Sequence, residues 1–230
     1  MLIGIIGAME IEVNVLKNLM DEAKIEVVSS IEFYRGKING TDTVVAVAGV
    51  GKVNAAVCAE AMILKYAPTC IINVGVAGGL SDDLKIGDIA VATAVAEHDM
   101  DTSPIGDPKG FITGINTVYM NTDKRVSDMM YNAVVKNGLN VKRGVIASGD
   151  QFIASDAQRR FIINEFNAIA AEMEGASIGH VCTMNKVPFA VLRAISDSAD
   201  SSSDMDFPTF AKMAAENSVK IILEFLKEVN

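Results

Sequence analysis

Cysteine is scarce in this 230-residue chain: Cys58, Cys70 and Cys182 lie far apart, with no C-x-x-C spacing. A disulfide framework or a zinc site needs paired or clustered thiols. Both are excluded, and buried, inert thiols in a reducing compartment are expected. Histidine is scarcer still. His98 and His180 have no clustered ligand partners, so no metal and no cofactor is expected. Positive charge is also short: 20 Lys and Arg stand against 29 Asp and Glu, a net charge of −9. Such a surface repels phosphate backbones and anionic lipid, which excludes nucleic acid and the membrane surface as partners. A compact, nearly neutral ligand is not repelled. No run reaches the roughly 18 uninterrupted apolar residues of a membrane span. Met1-Leu-Ile-Gly-Ile-Ile-Gly7 lacks the basic start and longer apolar run of a secretory leader, so the cytoplasm is the expected location.

Half of the residues are hydrophobic and the mean hydropathy is +0.30, a composition that excludes disorder. The length suits one large α/β domain over residues 1–230, and no composition shift marks a boundary. Short apolar runs predict strands at 2–6, 25–28, 32–38, 43–48, 70–74, 89–96, 142–147, 169–172 and 189–195. Asn39-Gly40 is a hairpin signal. Helices are expected at 8–21, where Ile11, Val15, Leu16 and Leu19 fall at helical spacing, and at 52–65, 123–136, 158–165, 175–185 and 207–229. The stretch 103–114, with Pro104, Pro108 and several glycines, reads as a long loop. Alternating strands and helices predict a three-layer α/β fold, a mixed central sheet flanked by helices. Ser201-Ser203 is the only low-complexity run.

Five segments carry chemistry. In Gly7-Ala-Met-Glu-Ile-Glu12, a first strand meets a first helix at a sheet edge where α/β proteins bind ligands. A dinucleotide site would want G-x-G-x-x-G there, and this is not one. Glu10 and Glu12 stand where a helix dipole favours carboxylates, so they serve either the dipole or a ligand. Gly49-Val-Gly51 is a lone G-x-G, read as close helix–sheet packing. In Asn73-Val-Gly-Val-Ala-Gly-Gly-Leu80, clustered glycines either form a tight turn or let backbone N–H groups approach a ligand. Ala171-Glu-Met-Glu-Gly175 sets two carboxylates around a soft methionine, suited to ribose hydroxyls. A helix cap explains Glu174 but leaves Glu172 awkward. In Arg193-Ala-Ile-Ser-Asp197, Arg193 lies in an apolar strand and needs a carboxylate partner. Asp197, shielded from water, can act as an acid or merely cap a turn.

Taken in order, these segments resemble the 5′-methylthioadenosine/S-adenosylhomocysteine nucleosidases, of nucleoside phosphorylase-like fold. The matching residues are Ile3-Gly-Ile-Ile-Gly-Ala-Met-Glu-Ile-Glu12, Gly49-Val-Gly-Lys52, Ala77-Gly-Gly-Leu80, Gly87-Asp88, His98-Asp99, Ser148-Gly-Asp150, Phe152-Ile153, Glu172-Met-Glu174 and Arg193-Ala-Ile-Ser-Asp197. The resemblance implies hydrolysis of an adenine nucleoside. Asp197 protonates N7 of adenine, supported by Ser196. Glu12 activates water, and Glu174 grips the 2′- and 3′-hydroxyls. Arg193 neutralises the carboxylates and helps hold Glu12 and the water. Met9, Met173 and Phe152 pack on sugar and base, while the backbone of Ile153 and Gly78 lines the base pocket. It also implies a homodimer. Two departures bear on the 5′ substituent: Val76 stands where the family often has serine, and Met100-Asp-Thr-Ser-Pro-Ile-Gly106 replaces an aromatic, glycine-rich segment.

Competing expectations are a phosphorylase, which Glu10 and Glu12 at the first turn oppose by repelling phosphate, and a nucleosidase for a futalosine-like substrate. A non-catalytic nucleoside sensor would not need both Glu12 and Asp197. A nicotinamide-dependent oxidoreductase would need the missing fingerprint.

Overall fold

The computed structural model describes residues 1–200 and 203–229, and of 203–206 the backbone alone. Its elements, in chain order, are β1 (Leu2–Gly7), α1 (Glu10–Asn18), β2 (Asp21–Val28), β3 (Ile31–Ile38), β4 (Thr41–Val47), α2 (Lys52–Tyr66), β5 (Cys70–Gly79), β6 (Ile89–Glu97), β7 (Met120–Asn121), α3 (Lys124–Lys136), β8 (Val141–Ser148), α4 (Asp156–Phe166), β9 (Ala168–Glu172), α5 (Gly175–Asn185), β10 (Phe189–Asp197) and α6 (Ser203–Glu228). The serine run at 201–203 falls largely outside the described residues.

The strands form one mixed sheet in the order β10-β6-β8-β9-β5-β1-β4-β3-β2, with β7 beside β6. Successive strand residues face opposite sides, so the sheet separates two cores. Ile6 and Ile71 pack toward Cys58 and Met62 of α2 and Ile178 and Cys182 of α5. Ile3, Ile5 and Ile72 pack toward Val13 and Leu16 of α1, Met130 and Val134 of α3, and Ile222 and Phe225 of α6. All three cysteines are free and buried, and burial pushes each thiol up to about 12.

One feature lies beyond the expected layers. β10 pairs with β5 as well as β6, so β5, β10, β6, β8 and β9 close into a ring. The long β5 makes this possible. Its first half pairs with β1 through Cys70–Asn73, and its last two residues pair with β9. The glycine-rich segment after Val74 is therefore extended strand rather than a tight turn.

The other departures from expectation have local causes. α1 stops at Asn18 because Asp21 already pairs with Lys37 in the β2–β3 hairpin. Of its apolar stripe only Leu16 is buried; Ile11, Val15 and Leu19 are exposed, and the inward face is Glu12, Val13 and Leu16. The α4 helix begins under a Ser155 cap that accepts from the Gln158 N–H. The expected loop at 103–114 holds one short 3-10 turn, Ser103–Ile105.

Candidate active site

The carboxyl ends of β1, β5, β9 and β10 surround a cavity of about 280 Å³, the lower end of the small-molecule range. Its wall is mainly apolar, with Glu12, Glu172, Glu174 and Asp197 as its charged residues. Every residue to which the resemblance gave a role lines it except Arg193, which is buried behind it, while Glu10 points away and pairs with Lys17.

Glu12 is the third residue of α1, and its carboxylate turns back over the helix start. Oε2 accepts from the Ala8 N–H at 2.7 Å and the Met9 N–H at 2.9 Å; Oε1 accepts from the Val76 N–H at 3.1 Å. The cap reading and the ligand reading thus describe one side chain. Gly75 permits this position, because a Cβ there would lie 2.6 Å from Glu12 Oε1. Burial raises the pKa of Glu12, against the pull of the Arg193 charge and the three N–H groups.

Asp197 ends β10 beyond a bulge, paired with Gly78. The Ser196 hydroxyl donates to Asp197 Oδ2 at 2.9 Å and the Ala199 N–H to Oδ1 at 2.9 Å, so both oxygens are oriented. Again a glycine makes room: a Cβ on Gly78 would sit 2.8 Å from Asp197 Oδ1.

Glu172 is no longer awkward. Its carboxylate accepts from the N–H groups of Glu174 and Gly175 at the start of α5, from the Ser148 hydroxyl and from the Arg193 guanidinium. It is the partner that Arg193 requires. Here the structure corrects the expectation that Arg193 holds Glu12. Its hydrogen bonds run to Glu172, to both oxygens of Asn73 and to the Leu192 carbonyl, and it reaches Glu12 only through its charge. Ring closure is the reason, since it sets β9 and β10 on either side of β5 and turns Glu172 and Arg193 toward each other.

Glu174 begins the turn into α5. Its Oε1 accepts from the Gly51 N–H at 2.8 Å, and Oε2 lies 4.0 Å from Arg193. Burial, then the Glu172 charge, push its carboxyl up to about 7, against Arg193 and the Gly51 N–H. With Glu12, Glu172 and Glu174 buried around one guanidinium, holding a proton this high is the expected response.

Sequence reasoning missed two participants. Phe207, at the start of α6, lines the cavity and meets Phe152 edge-on, ring centroids 5.6 Å apart. Gly51, read as a packing glycine, supplies the N–H that holds Glu174. No local signal marks either, because both depend on remote segments meeting. His98 is buried against Gly149 outside the cavity wall, and burial lowers its pKa. His180 reaches Glu97 across from α5, Nδ1 to Oε1 at 3.2 Å.

Known proteins of this kind share both sequence and fold. A family model, the phosphorylase superfamily, matches residues 2–227. A 5′-methylthioadenosine/S-adenosylhomocysteine nucleosidase of Haemophilus influenzae (strain PittGG) is 40% identical over 224 residues, 97% of each chain. The enzyme of that name from Bacillus subtilis (strain 168) is 34% identical over 231 residues, the full length of both. Among solved structures, the Neisseria meningitidis nucleosidase in complex with methylthio-immucillin-A superposes with a TM-score of 0.95 at 36% identity, covering 99% of each chain. Helicobacter pylori futalosine hydrolase superposes with a TM-score of 0.94 at 35% identity, covering 99% of this chain and 97% of that one. With a family match across the whole fold and relatives this similar end to end, the chain belongs to the phosphorylase superfamily and, within it, to the 5′-methylthioadenosine/S-adenosylhomocysteine nucleosidases.

Proposed function

We propose that this protein hydrolyses the N-glycosidic bond of 5′-methylthioadenosine, S-adenosylhomocysteine or both, releasing adenine and the 5′-substituted ribose. The observation that carries the reading is one apolar-walled cavity holding Glu12, Glu174 and Asp197 together. Cleavage needs an acid for the leaving base and a base for the attacking water, the division of labour of glycoside hydrolysis. Asp197, oriented by Ser196, gives its proton to adenine N7 as the C1′–N9 electron pair withdraws into the base. Glu12 takes a proton from the water that attacks the oxocarbenium-like C1′. Its raised pKa makes it the stronger base. Glu174 accepts from the 2′- and 3′-hydroxyls, and Glu172 with Arg193 keeps it in place. Met9, Met173 and Phe152 pack on sugar and base, and the backbone of Gly78 and Ile153 lines the base pocket. The relatives' names and the inhibitor complex of the Neisseria enzyme support this substrate class.

The charge of the cavity argues against phosphorolysis: among the described residues lining it, the charged ones are all carboxylates, which repel phosphate. The likeness to futalosine hydrolase favours a second substrate class, differing at the 5′ side. The protein acts in the cytoplasm as a homodimer. That assembly would cover the exposed apolar residues Val53 and Leu64 of α2 and Met184 of α5, which are 72, 74 and 65% exposed. Incubation with 5′-methylthioadenosine, S-adenosylhomocysteine, 5′-deoxyadenosine and futalosine, with and without phosphate, tests the reading. Adenine release from the thioadenosines without phosphate is expected. A strict phosphate requirement with formation of ribose 1-phosphate would overturn it.

A further inference from the structure

Three of the sequence motifs supply no side chain that acts on the substrate in the chemistry above: Gly49-Val-Gly-Lys52, His98-Asp99 and Ser148-Gly-Asp150. The fold brings them to one place behind the cavity. Lys52 opens α2, with its side chain only 19% exposed. Its Nζ donates to Glu97 Oε2 at 3.0 Å and to Asp99 Oδ1 at 2.6 Å, at the end of β6. Asp99 Oδ2 accepts from the Asp150 N–H at 2.9 Å, and Asp150 Oδ1 accepts from the Lys52 N–H at 2.7 Å. The circuit closes on itself. From α5, the Ser177 hydroxyl donates to the Lys52 carbonyl at 2.6 Å, and His180 faces the other oxygen of Glu97.

Both exits from this circuit lead to the cavity. The residue before Lys52 is Gly51, held at φ +98, whose N–H donates to Glu174 Oε1 at 2.8 Å. The residues after Asp150 are Gln151, Phe152 and Ile153, which wall the cavity. An exposed ion pair contributes little. Here the side chains of Lys52, Glu97 and Asp99 are only 19, 11 and 19% exposed and backbone N–H groups close the circuit through the exposed Asp150, so the network holds geometry as well as charge.

We propose that Lys52 is a positioning residue for Glu174. Its ion pairs with Glu97 and Asp99 fix the Gly49–Gly51 turn, and the Gly51 N–H then holds the Glu174 carboxylate where it meets the ribose hydroxyls. The inference rests on the nucleosidase reading, which assigns Glu174 to the ribose. A purely structural Lys52 would staple α2 to β6 and weaken every variant alike.

A double-mutant cycle separates the two roles. Wild type, Lys52→Met, Glu174→Ala and the double variant are compared by kcat/KM for 5′-methylthioadenosine, followed as adenine release, and by thermal midpoint. Lys52→Met is expected to lower kcat/KM about tenfold in the wild-type background. In the Glu174→Ala background, where no side chain is left for the Gly51 N–H to hold, the loss should be under about twofold, although the thermal midpoint drops equally in both. Lys52→Arg, which can still bridge Glu97 and Asp99, should restore most of the activity. Equal kinetic losses in the two backgrounds, or no loss at all, would overturn the inference. Should Lys52→Met not fold, the same cycle with Asp99→Asn separates positioning from stapling by the same pair of kinetic losses. No adenine release from wild type is a separate failure: it defeats the nucleosidase reading, and this inference with it.

Discussion

Glu174→Gln exchanges a buried carboxylate, 6% exposed, for an amide of nearly the same shape. Burial and the charge of Glu172 raise this carboxyl from 4.5 to about 7. Between those values the folded protein keeps a proton that the unfolded chain has already released. The unfolded state binds fewer protons, so stability falls as pH rises through the window and levels off above it. A tenfold change in proton affinity is about 1.4 kcal/mol, so the full loss is about 3 kcal/mol. Glutamine escapes this penalty, because it has no proton to lose in this window and its carbonyl can still accept from the Gly51 N–H. The variant should therefore exceed the parent by about 3 kcal/mol at pH 8 and by under about 1 kcal/mol at pH 5. Urea unfolding followed by circular dichroism reads this as a midpoint gain of roughly 1 M at pH 8 that mostly vanishes at pH 5. An equal difference at both pH values, or a variant less stable at pH 8, would refute the reasoning. The same substitution should lower kcat/KM by about 100-fold, since charge-assisted bonds to two hydroxyls are lost. Stability and activity would then move in opposite directions, as at a site under functional constraint.

Asp197→Asn should cut kcat by about 10²- to 10⁴-fold with an unchanged thermal midpoint, and wild-type-like turnover would remove it as the acid. Glu12→Gln should bind 5′-methylthioadenosine with near-normal affinity in equilibrium dialysis yet fail to cleave it; lost binding in a folded protein would contradict the base role. Gly78→Ala places a methyl 2.8 Å from both Asp197 Oδ1 and the Ala199 Cβ. It should cost about 1–3 kcal/mol in urea unfolding and lower kcat more than it raises KM. Arg193→Met leaves Glu172 buried without its cation, and a loss of about 3–5 kcal/mol is expected. A loss below about 1 kcal/mol would mean that the carboxylates simply take up a proton instead.

Much of the fold is legible from local chemistry. Asn39 and Gly40 occupy the left-handed region at φ 51° and 82°, as their residue types announce. Ser29 and Ser30 make an equivalent turn at φ 51° and 62°, but serine carries no such signal, so the sequence shows the β2–β3 hairpin only as two separate strands. Buried strands declare themselves by apolar runs, and the site segments by polar residues at strand ends. The stripe Ile11-Val15-Leu19 misleads, because helical spacing reports a face without saying what covers it.

By itself the sequence determined the element types, the acidic and apolar balance, and the family, through residues read within short windows. Tertiary structure alone decided which groups meet. Closure of β10 onto β5 gave Arg193 to Glu172 rather than to Glu12, and the fold brought Gly51 to Glu174 and Phe207 to Phe152. Hydrogen bonds and desolvation act over a few ångströms, while the partners lie up to 123 residues apart in the chain. No window along the sequence contains both ends of such a contact.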